Sequence, residues 1–383
     1  MVQIYIVILL SALLVLGALS LLLRTRIVEL FYDIPNHRKV HSRLVPRMGG
    51  LGILFSFFLV YFSMMCLGIV EVRPISVSLL SAVFVFGAIG IMDDSQVVKQ
   101  MLKRAAWELR PRYKLLIEFA LASVVISFIP SVIPGFGVPM FIEKPLLVIW
   151  LVGVANAFNI IDGIDGLCGG VSLLTFTVLA ALGFASNTPE VMWPALILAG
   201  TTVGFLVLNW NPAKLFLGDM GSLFFGFSAA VLGLVMVSET HAQGSPMTLV
   251  YLAGYPIFEV ALSIARRFSA PAPGATLRAR ISKIVVADAN HFHHRLLAAG
   301  HGHRGATMRL VILQGAFLSA GVALIYWPLQ QSNLLVHGVI CLVMAGAVTL
   351  AYSQILQKTL ATQSWFRVFA TRPSKSKVIQ RHV

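Results

Sequence analysis

Apolar segments of about twenty residues recur along the whole chain, and short polar connections separate them. A helix needs ~20 mostly apolar residues to cross the hydrocarbon core of a bilayer. Hydrophobic residues make up 58% of the chain and charged residues only 11%, whereas soluble domains carry about 25% charged residues. The sequence therefore predicts an all-α fold, a polytopic membrane helix bundle with about 11 transmembrane helices.

The predicted transmembrane segments share this length and apolar character, and they span residues 2–23, 48–70, 75–92, 113–132, 145–159, 166–186, 191–209, 221–239, 246–265, 308–327 and 333–356. Together they define one membrane domain, residues 1–357. Residues 358–383 are predicted to form a basic cytoplasmic tail, whose charges suit a surface that faces water and lipid headgroups.

Lysine and arginine are distributed very unequally between alternate connections. The net charge is +14, which in a soluble protein would suggest a nucleic-acid partner. Of the 29 Lys and Arg residues, all but Arg73 and Lys144 fall on one set of alternate connections or on the tail. Cytoplasmic loops carry the excess of positive charge in membrane proteins. We therefore predict an N-terminus outside, a C-terminus in the cytoplasm, membrane lipids as partners and no nucleic acid.

The polar motifs follow the same division. All of them lie on the predicted cytoplasmic connections, at residues 33–50, 92–95, 156–167, 209–222 and 287–294. The opposite connections are short and carry no comparable motif. This arrangement predicts one functional face, which meets a substrate from the cytosol.

Carboxylates are few, and a set of them clusters at the predicted cytoplasmic helix ends: Asp93, Asp94, Asp162, Asp165, Asp219 and Asp288. Helix capping explains a single Asp and is worth ~1 kcal/mol. It does not explain the adjacent pair Asp93 and Asp94, which repel each other unless a cation lies nearby. Hard oxygen ligands suit Mg²⁺, with Mn²⁺ as an alternative, and Mg²⁺ commonly binds substrate phosphates as well. The cluster therefore predicts a phosphate-bearing substrate.

The remaining candidates are histidines and one arginine. The sequence "HFHH" supplies His291, His293 and His294. Three such histidines could ligate zinc, but no further His or Cys lies at ligand spacing, so hydrogen bonding to phosphate is favoured. Arg47 is singled out among the cations because it precedes a pair of glycines at the entrance of a predicted helix.

These motifs, in this order between residues 30 and 310, resemble the polyprenyl-phosphate N-acetylhexosamine-1-phosphate transferases of glycosyltransferase family 4. The stretch "DIPNHRKVH…PRMGG" is similar to the WecA-type branch. The resemblance implies transfer of a sugar 1-phosphate, with GlcNAc 1-phosphate the first choice, from a UDP-sugar such as UDP-GlcNAc to undecaprenyl phosphate. It also implies release of UMP, a place in the bacterial cytoplasmic membrane, an active site facing the cytoplasm, and a role in cell-surface polysaccharide synthesis.

The resemblance also implies roles for individual residues. Asp93 would deprotonate or position the lipid phosphate, and Asp94, Asp219 and His291 would complete the catalytic set. Asp219, Asn159 and Asp94 would lie at the metal. The residues implied in substrate binding are Asn156, Asn159, Asp162, Asp165, Asn209, Phe216, His293, His294 and Arg47. Two positions depart from the family pattern: Glu259 replaces an Asp, and Ala289 replaces an Arg or Lys.

Two other functions remain open at this stage. An ion-coupled transporter would use buried carboxylates as a relay, usually near the bilayer midplane, whereas these acids lie at one face. A Mg²⁺-dependent prenyltransferase would carry a DDxxD-type motif, and "DDSQV" lacks its final Asp. The sequence leaves the identity of the sugar, the downstream glycan and the oligomeric state undetermined.

Overall fold

The computed structural model describes residues 2–33, 44–94, 111–129, 139–239, 247–269, 276 and 291–326. Helices make up nearly all of these residues. In chain order the α-helices are α1 (Val2–Leu22), α2 (Gly49–Cys66), α3 (Pro74–Asp94), α4 (Pro111–Phe128), α5 (Met140–Ile161), α6 (Leu167–Ala185), α7 (Pro189–Asn209), α8 (Gly218–Glu239), α9 (Met247–Leu252), α10 (Gly254–Ser269), α11 (Phe292–Ala298) and α12 (His303–Tyr326). A 3₁₀ helix (Arg26–Phe31) and a short antiparallel pair, β1 (Tyr32–Asp33) and β2 (Val45–Pro46), precede α2.

Eight of these helices are long and apolar enough to cross a membrane, namely all except α4, α9, α10 and α11. The chain is therefore a helical multi-pass membrane protein, as its sequence predicts. The eleventh predicted segment, 333–356, and the predicted tail, 358–383, lie outside the described residues. The total number of spans and the orientation of the two termini stay predictions.

The fifth predicted segment, 145–159, is longer in the structure, where α5 runs from Met140 to Ile161. Pro145 lies inside this helix, in its second turn. Because proline has no N–H, the helical hydrogen bond from position 145 to the Phe141 carbonyl is missing. Lys144 donates to the carbonyl oxygens of Ile126 at 3.1 Å and of Ile129. This lysine therefore satisfies carbonyls at the end of α4.

The ninth predicted segment, 246–265, is broken in two at Ala253, between α9 and α10. A side chain of α12 bonds the backbone on both sides of the break. Gln314 donates from Nε2 to the Leu252 carbonyl at 2.9 Å, and its Oε1 accepts from the Tyr255 N–H at 2.9 Å. Backbone groups in apolar surroundings need such partners, so Gln314 fixes the position of the break.

Helix α8 forms the centre of the bundle, and its membrane-spanning stretch is buried along its whole length. It packs against α2, α3, α5, α6, α7 and α9. Three pairs of phenylalanines join it edge-to-face to α2, α3 and α6, with ring centroids 5.3–5.5 Å apart: Phe57–Phe224, Phe86–Phe227 and Phe176–Phe225. Such pairs add about 0.5–1.5 kcal/mol each beyond the area that they bury.

Neighbouring helices run up and down, so that α3, α5 and α7 finish where α4, α6 and α8 begin. We call this the site end of the bundle. Contacts between its residues confirm the arrangement: Asp94 at the end of α3 bonds the start of α8, and Asn209 at the end of α7 bonds Gly166 beside α6. The polar motifs of 92–95, 156–167 and 209–222 therefore meet at one place.

Candidate active site

Two carboxylates from different helices are joined at the site end. Asp94 is the last residue of α3, and its Oδ2 accepts a hydrogen bond from the backbone N–H of Asp219, the second residue of α8, at 3.1 Å. Gly218 makes this close approach feasible, because its φ is +75° and a Cβ there would lie 2.7 Å from Asp94 Oδ2. The first turn of α8 is thus capped by a carboxylate from α3.

Two cationic side chains neutralise these acids. Nη1 of Arg47 lies 3.2 Å from Asp94 Oδ1, and Nη2 lies 3.5 Å from Asp219 Oδ1. Lys114 contacts Asp219 Oδ2, and its Nζ is 4.0 Å from Asp93 Oδ2. Because the Asp94 side chain is only 1% exposed, water cannot solvate its charge and a paired cation is needed. The cation that the adjacent acids require is supplied here by the protein itself.

The turn after α5 completes the acidic cluster. Asn159 donates from Nδ2 to Asp219 Oδ1 at 3.1 Å and to Ser222 Oγ at 2.9 Å. Burial raises the pKa of Asp162 to about 7, Arg47 opposes this rise, and the neighbouring carboxylates of Asp219 and Asp94 add to it. Asp162 therefore shares one electrostatic environment with the acids of α3 and α8.

A divalent cation fits the donor chemistry of this cluster. Carboxylate oxygens of Asp94, Asp162 and Asp219 and the amide of Asn159 are hard donors, which suit Mg²⁺. Within the described residues, no three His, Cys, Asp or Glu side chains are arranged to hold an ion by themselves. Mg²⁺ usually binds one or two protein carboxylates, and substrate phosphates and water complete its shell. The side chains that could hold it are Asp219, Asp94 and Asn159.

Asp165 and Asn209 hold two motifs against each other. Asp165 Oδ2 accepts from Nδ2 of Asn211 at 2.8 Å. The Oδ1 atom of Asn209 accepts from the Gly166 N–H, and its Nδ2 donates to the Leu215 carbonyl, both at 2.9 Å. These bonds lock the turn at 162–166 to the connection between α7 and α8. Contact of either side chain with substrate stays a prediction.

Phe216 lies in the connection between α7 and α8 and joins this connection to the segment that contains Arg47. Its backbone N–H donates to the Pro46 carbonyl, and its carbonyl accepts from the Gly49 N–H, both at 2.8 Å. These bonds place Arg47 beside the start of α8. The Phe216 ring is half-buried, and its stacking on a base stays a prediction.

Asn156 lies one turn before Asn159 on α5 and faces the bundle interior. Its Nδ2 donates to Glu118 Oε2 and to the Val152 carbonyl. Glu118 is 1% exposed and lies one helical turn after Lys114 on α4. The structure therefore places Asn156 behind the acidic cluster, next to the helix that carries Lys114.

The histidine motif is anchored by a buried glutamate. Both carboxylate oxygens of Glu259, on α10, accept from the Phe292 N–H, at 2.9 and 3.1 Å. Nδ1 of His291 lies 3.1 Å from Glu259 Oε1. Glu259 has no exposed surface, so this departure from the family pattern is a structural anchor for His291.

His293 packs directly on the turn that carries Asp162. A Cβ added to Gly163 would lie 2.2 Å from His293 Nε2. His293 is 1% exposed, and burial, followed by the nearby His294 and His291, holds the pKa of its imidazole well below the usual value. The ring is therefore neutral at neutral pH. The structure thus joins the histidine motif to the acidic turn.

Several contacting residues were not among the sequence candidates: Lys114, Glu118, Ser222, Asn211 and Gln314. In the sequence, Lys114 is distinguished only as one of the many Lys and Arg residues on the predicted cytoplasmic connections. Glu118 did carry a signal, because an acid inside an apolar segment is functional by default. Asp288 and Ala289, which the sequence analysis named, lie outside the described residues.

Known proteins are similar to this chain over much of its length. The family model described as "Glycosyl transferase family 4" matches residues 76–237, a range that contains Asp94, Asp162 and Asp219. The chain is 31% identical over 301 residues to a probable undecaprenyl-phosphate N-acetylglucosaminyl 1-phosphate transferase of Bacillus subtilis (strain 168), covering 76% of each chain.

Two further relatives carry related names. A decaprenyl-phosphate N-acetylglucosaminephosphotransferase of Mycobacterium leprae is 28% identical over 349 residues, covering 82% of this chain and 81% of the relative. A phospho-N-acetylmuramoyl-pentapeptide-transferase of Staphylococcus haemolyticus is 33% identical over 221 residues, covering 51% and 67%. The similarity to the two N-acetylglucosamine enzymes thus extends over more of this chain than the similarity to the N-acetylmuramoyl-pentapeptide enzyme does.

Proposed function

Because the chain belongs to glycosyl transferase family 4, we propose that it is a polyprenyl-phosphate N-acetylhexosamine-1-phosphate transferase. It moves N-acetylglucosamine 1-phosphate from UDP-N-acetylglucosamine to undecaprenyl phosphate and releases UMP. The polyprenyl-diphosphate sugar that forms begins the synthesis of a cell-surface polysaccharide. The choice of N-acetylglucosamine is supported by the names of the Bacillus and Mycobacterium relatives. The protein works in the bacterial cytoplasmic membrane with its site facing the cytoplasm.

The observation that carries this proposal is the pairing of Asp94 and Asp219 with Arg47 and Lys114 at one end of a membrane bundle. Both reactants are polyanions that repel each other, and one of them is held in the membrane. A transferase for them needs cations at the membrane surface and acids that hold these cations in place. The cluster provides both.

In this mechanism an oxygen of the lipid phosphate attacks the phosphorus that bears the sugar, and UMP leaves. Phosphoryl transfer needs mainly positioning and electrostatic stabilisation. Arg47 and Lys114 bind phosphate oxygens of the two reactants. Asp93 positions the lipid phosphate or accepts its last proton, which is partly lost at neutral pH because the second phosphate pKa is ~6.

The other residues hold the donor. Asn209 and Phe216 contact the uracil, and His291 and His294 lie beside the diphosphate and the sugar. Asp219 and Asp94, with Asn159, would hold Mg²⁺. When bound, this ion neutralises phosphate charge. Asn159 and Ser222, through their mutual bond, keep the Asp219 carboxylate oriented.

The proposal is tested with purified protein, undecaprenyl phosphate and a panel of UDP-sugars, with release of UMP as the readout. We expect release with UDP-N-acetylglucosamine, loss of release with a chelator, and recovery when Mg²⁺ or Mn²⁺ is returned. Absence of UMP with every donor, or release of diphosphate from a prenyl donor, would reject the transferase reaction proposed here.

Asp219→Asn tests the metal assignment. The substitution keeps the size of the side chain but removes the charge that faces Lys114 and Arg47. We expect UMP release to fall by about 10²–10³-fold, the usual cost of one electrostatic group. Glu190→Gln is the matched control, because Glu190 is a largely buried acid that pairs with Arg73 at the opposite end of α7. Near-normal turnover of Asp219→Asn at ordinary Mg²⁺ would contradict the assignment.

A further inference from the structure

Glu259 is a fully buried carboxylate whose two oxygens are both engaged. Oε1 faces His291 Nδ1 at 3.1 Å and accepts from the Phe292 N–H at 2.9 Å. Oε2 accepts from the same N–H at 3.1 Å and from the Tyr255 hydroxyl at 3.5 Å. A buried charge is retained only when such partners satisfy it. Capping of α11 through Phe292 alone would not need a charge, since a neutral amide oxygen accepts equally well.

The bond to His291 determines which nitrogen of the imidazole carries a proton. An ionised carboxylate can only accept hydrogen bonds. The nitrogen that faces it, Nδ1, must therefore be the protonated one. In the neutral imidazole this leaves Nε2 as the unprotonated atom on the other side of the ring.

Glu259 is itself held in a fixed position. It lies on α10, five residues after Gly254, and α10 begins at the break that Gln314 bonds on both sides. The break packs tightly on α12, because a Cβ at Gly254 would lie 2.3 Å from Phe317 Cγ. Restraint of this kind is what a group needs in order to orient a second group accurately.

We propose that Glu259 is a positioning residue for His291: it fixes the ring orientation and the Nδ1–H tautomer, and so presents Nε2 to the donor substrate. This inference rests on the proposed function for the identity of the substrate, but the tautomer can be tested without it. Carboxylates that orient a metal-binding histidine through its far nitrogen typically contribute 10–100-fold to affinity or activity, and we expect an effect of the same size for His291.

The direct test uses nitrogen chemical shifts of histidine in the full-length protein labelled with ¹⁵N-histidine. The chain has ten histidines, and loss of one set of signals in His291→Ala assigns His291. We expect Nδ1 of His291 to be protonated at pH 8 in the wild-type protein. An unprotonated Nδ1 would overturn the proposal, whatever the protein's activity.

Glu259→Met removes both acceptor oxygens and the charge at a similar side-chain size. The Nδ1–H of His291 then has no acceptor, so we expect the preference for this tautomer to be lost and UMP release to fall by about 10–100-fold, while Glu190→Gln leaves both unchanged. Glu259→Gln is the conservative variant and should keep the tautomer, because the oxygen that faces His291 Nδ1 is also the one nearest the Phe292 N–H. A His291 that keeps only the Nδ1–H tautomer in a folded Glu259→Met protein would contradict the proposal.

A double variant gives the kinetic test. If Glu259 acts through His291, adding Glu259→Met to His291→Ala costs no further activity, because the two changes remove one interaction. A multiplicative loss would show a purely structural role and reject the proposal. If the wild-type protein releases no UMP, the proposed function fails, and the nitrogen shifts still decide the role of Glu259.

Discussion

Gly163→Ala is the change by which the geometry of the site is most directly tested. Gly163 follows Asp162 in the turn after α5, and a Cβ at this position would lie 2.2 Å from His293 Nε2 and 3.0 Å from Cδ2 and Cε1. Its backbone is not in the left-handed region, unlike Gly166. Alanine therefore adds no backbone strain, and the whole effect comes from one methyl group against one imidazole.

The size of the displacement follows from these distances. Ordinary van der Waals contact begins at 3.4 Å, so the ring and the turn must separate by about 1 Å. His293 is 1% exposed and cannot swing into open space. A misplacement of about 1 Å near reacting groups costs ~10²-fold in rate. Overpacking of this kind costs about 1–3 kcal/mol in stability, which a folded membrane bundle can tolerate.

The measurement is UMP release together with thermal unfolding in detergent. We expect Gly163→Ala to fold and to lose about 10²-fold in rate. Gly153→Ala is the matched control, since nothing lies within 4 Å of its added Cβ. In the His293→Ala background the alanine at 163 should cost nothing more, because the clashing ring is gone. Wild-type rates for Gly163→Ala alone would refute the close packing of the acidic turn on the histidine motif.

Two further substitutions test the contacts around the site. Arg47→Lys replaces a planar fork that reaches both Asp94 and Asp219 by a single point charge. We expect UMP release to fall about tenfold, corresponding to ~1.4 kcal/mol, and unchanged kinetics would show that bridging of the two acids is unimportant. Gln314→Leu removes the partner of the Leu252 carbonyl and the Tyr255 N–H. We expect unfolding to become easier by about 1–3 kcal/mol, measured against Ser319→Ala on the exposed face of α12, and equal stability of the two variants would contradict the role of Gln314.

The membrane fold could be predicted because the bilayer imposes a length on every apolar segment. Segment 166–186 corresponds closely to α6, and segment 191–209 to α7. The break at Ala253 could not be found in this way, because the apolar run of 246–265 continues through it. The break depends on Gln314, a residue about sixty positions away whose amide replaces the missing helical bonds.

The acidic cluster could be predicted from the sequence because its members lie on the connections that carry the excess of Lys and Arg, and these connections share one side of the membrane. Asp94, Asp162 and Asp219 were expected at one face, and the structure brings them together. The role of Lys114 was not accessible, since its partner Asp219 is 105 residues away and the positive-inside rule already explained its charge. Glu259 was recognised only as a departure from the family pattern, because its bonds to His291 and Phe292 depend on tertiary structure.

The complete enclosure of α8 has a consequence for the order in which the protein is made. Its neighbours α2, α3, α5, α6 and α7 are synthesised before it, but α9 comes after it. A Cβ at Gly233 would lie 3.2 Å from Leu252 and 3.3 Å from Leu249, both in α9. A nascent chain that ends before residue 247 would leave one side of α8 against lipid. Asp219 stands at the head of this helix, and its partners Arg47, Lys114 and Asn159 all precede α9 in the chain, so the acidic cluster can assemble on the ribosome before α9 covers the other half of α8.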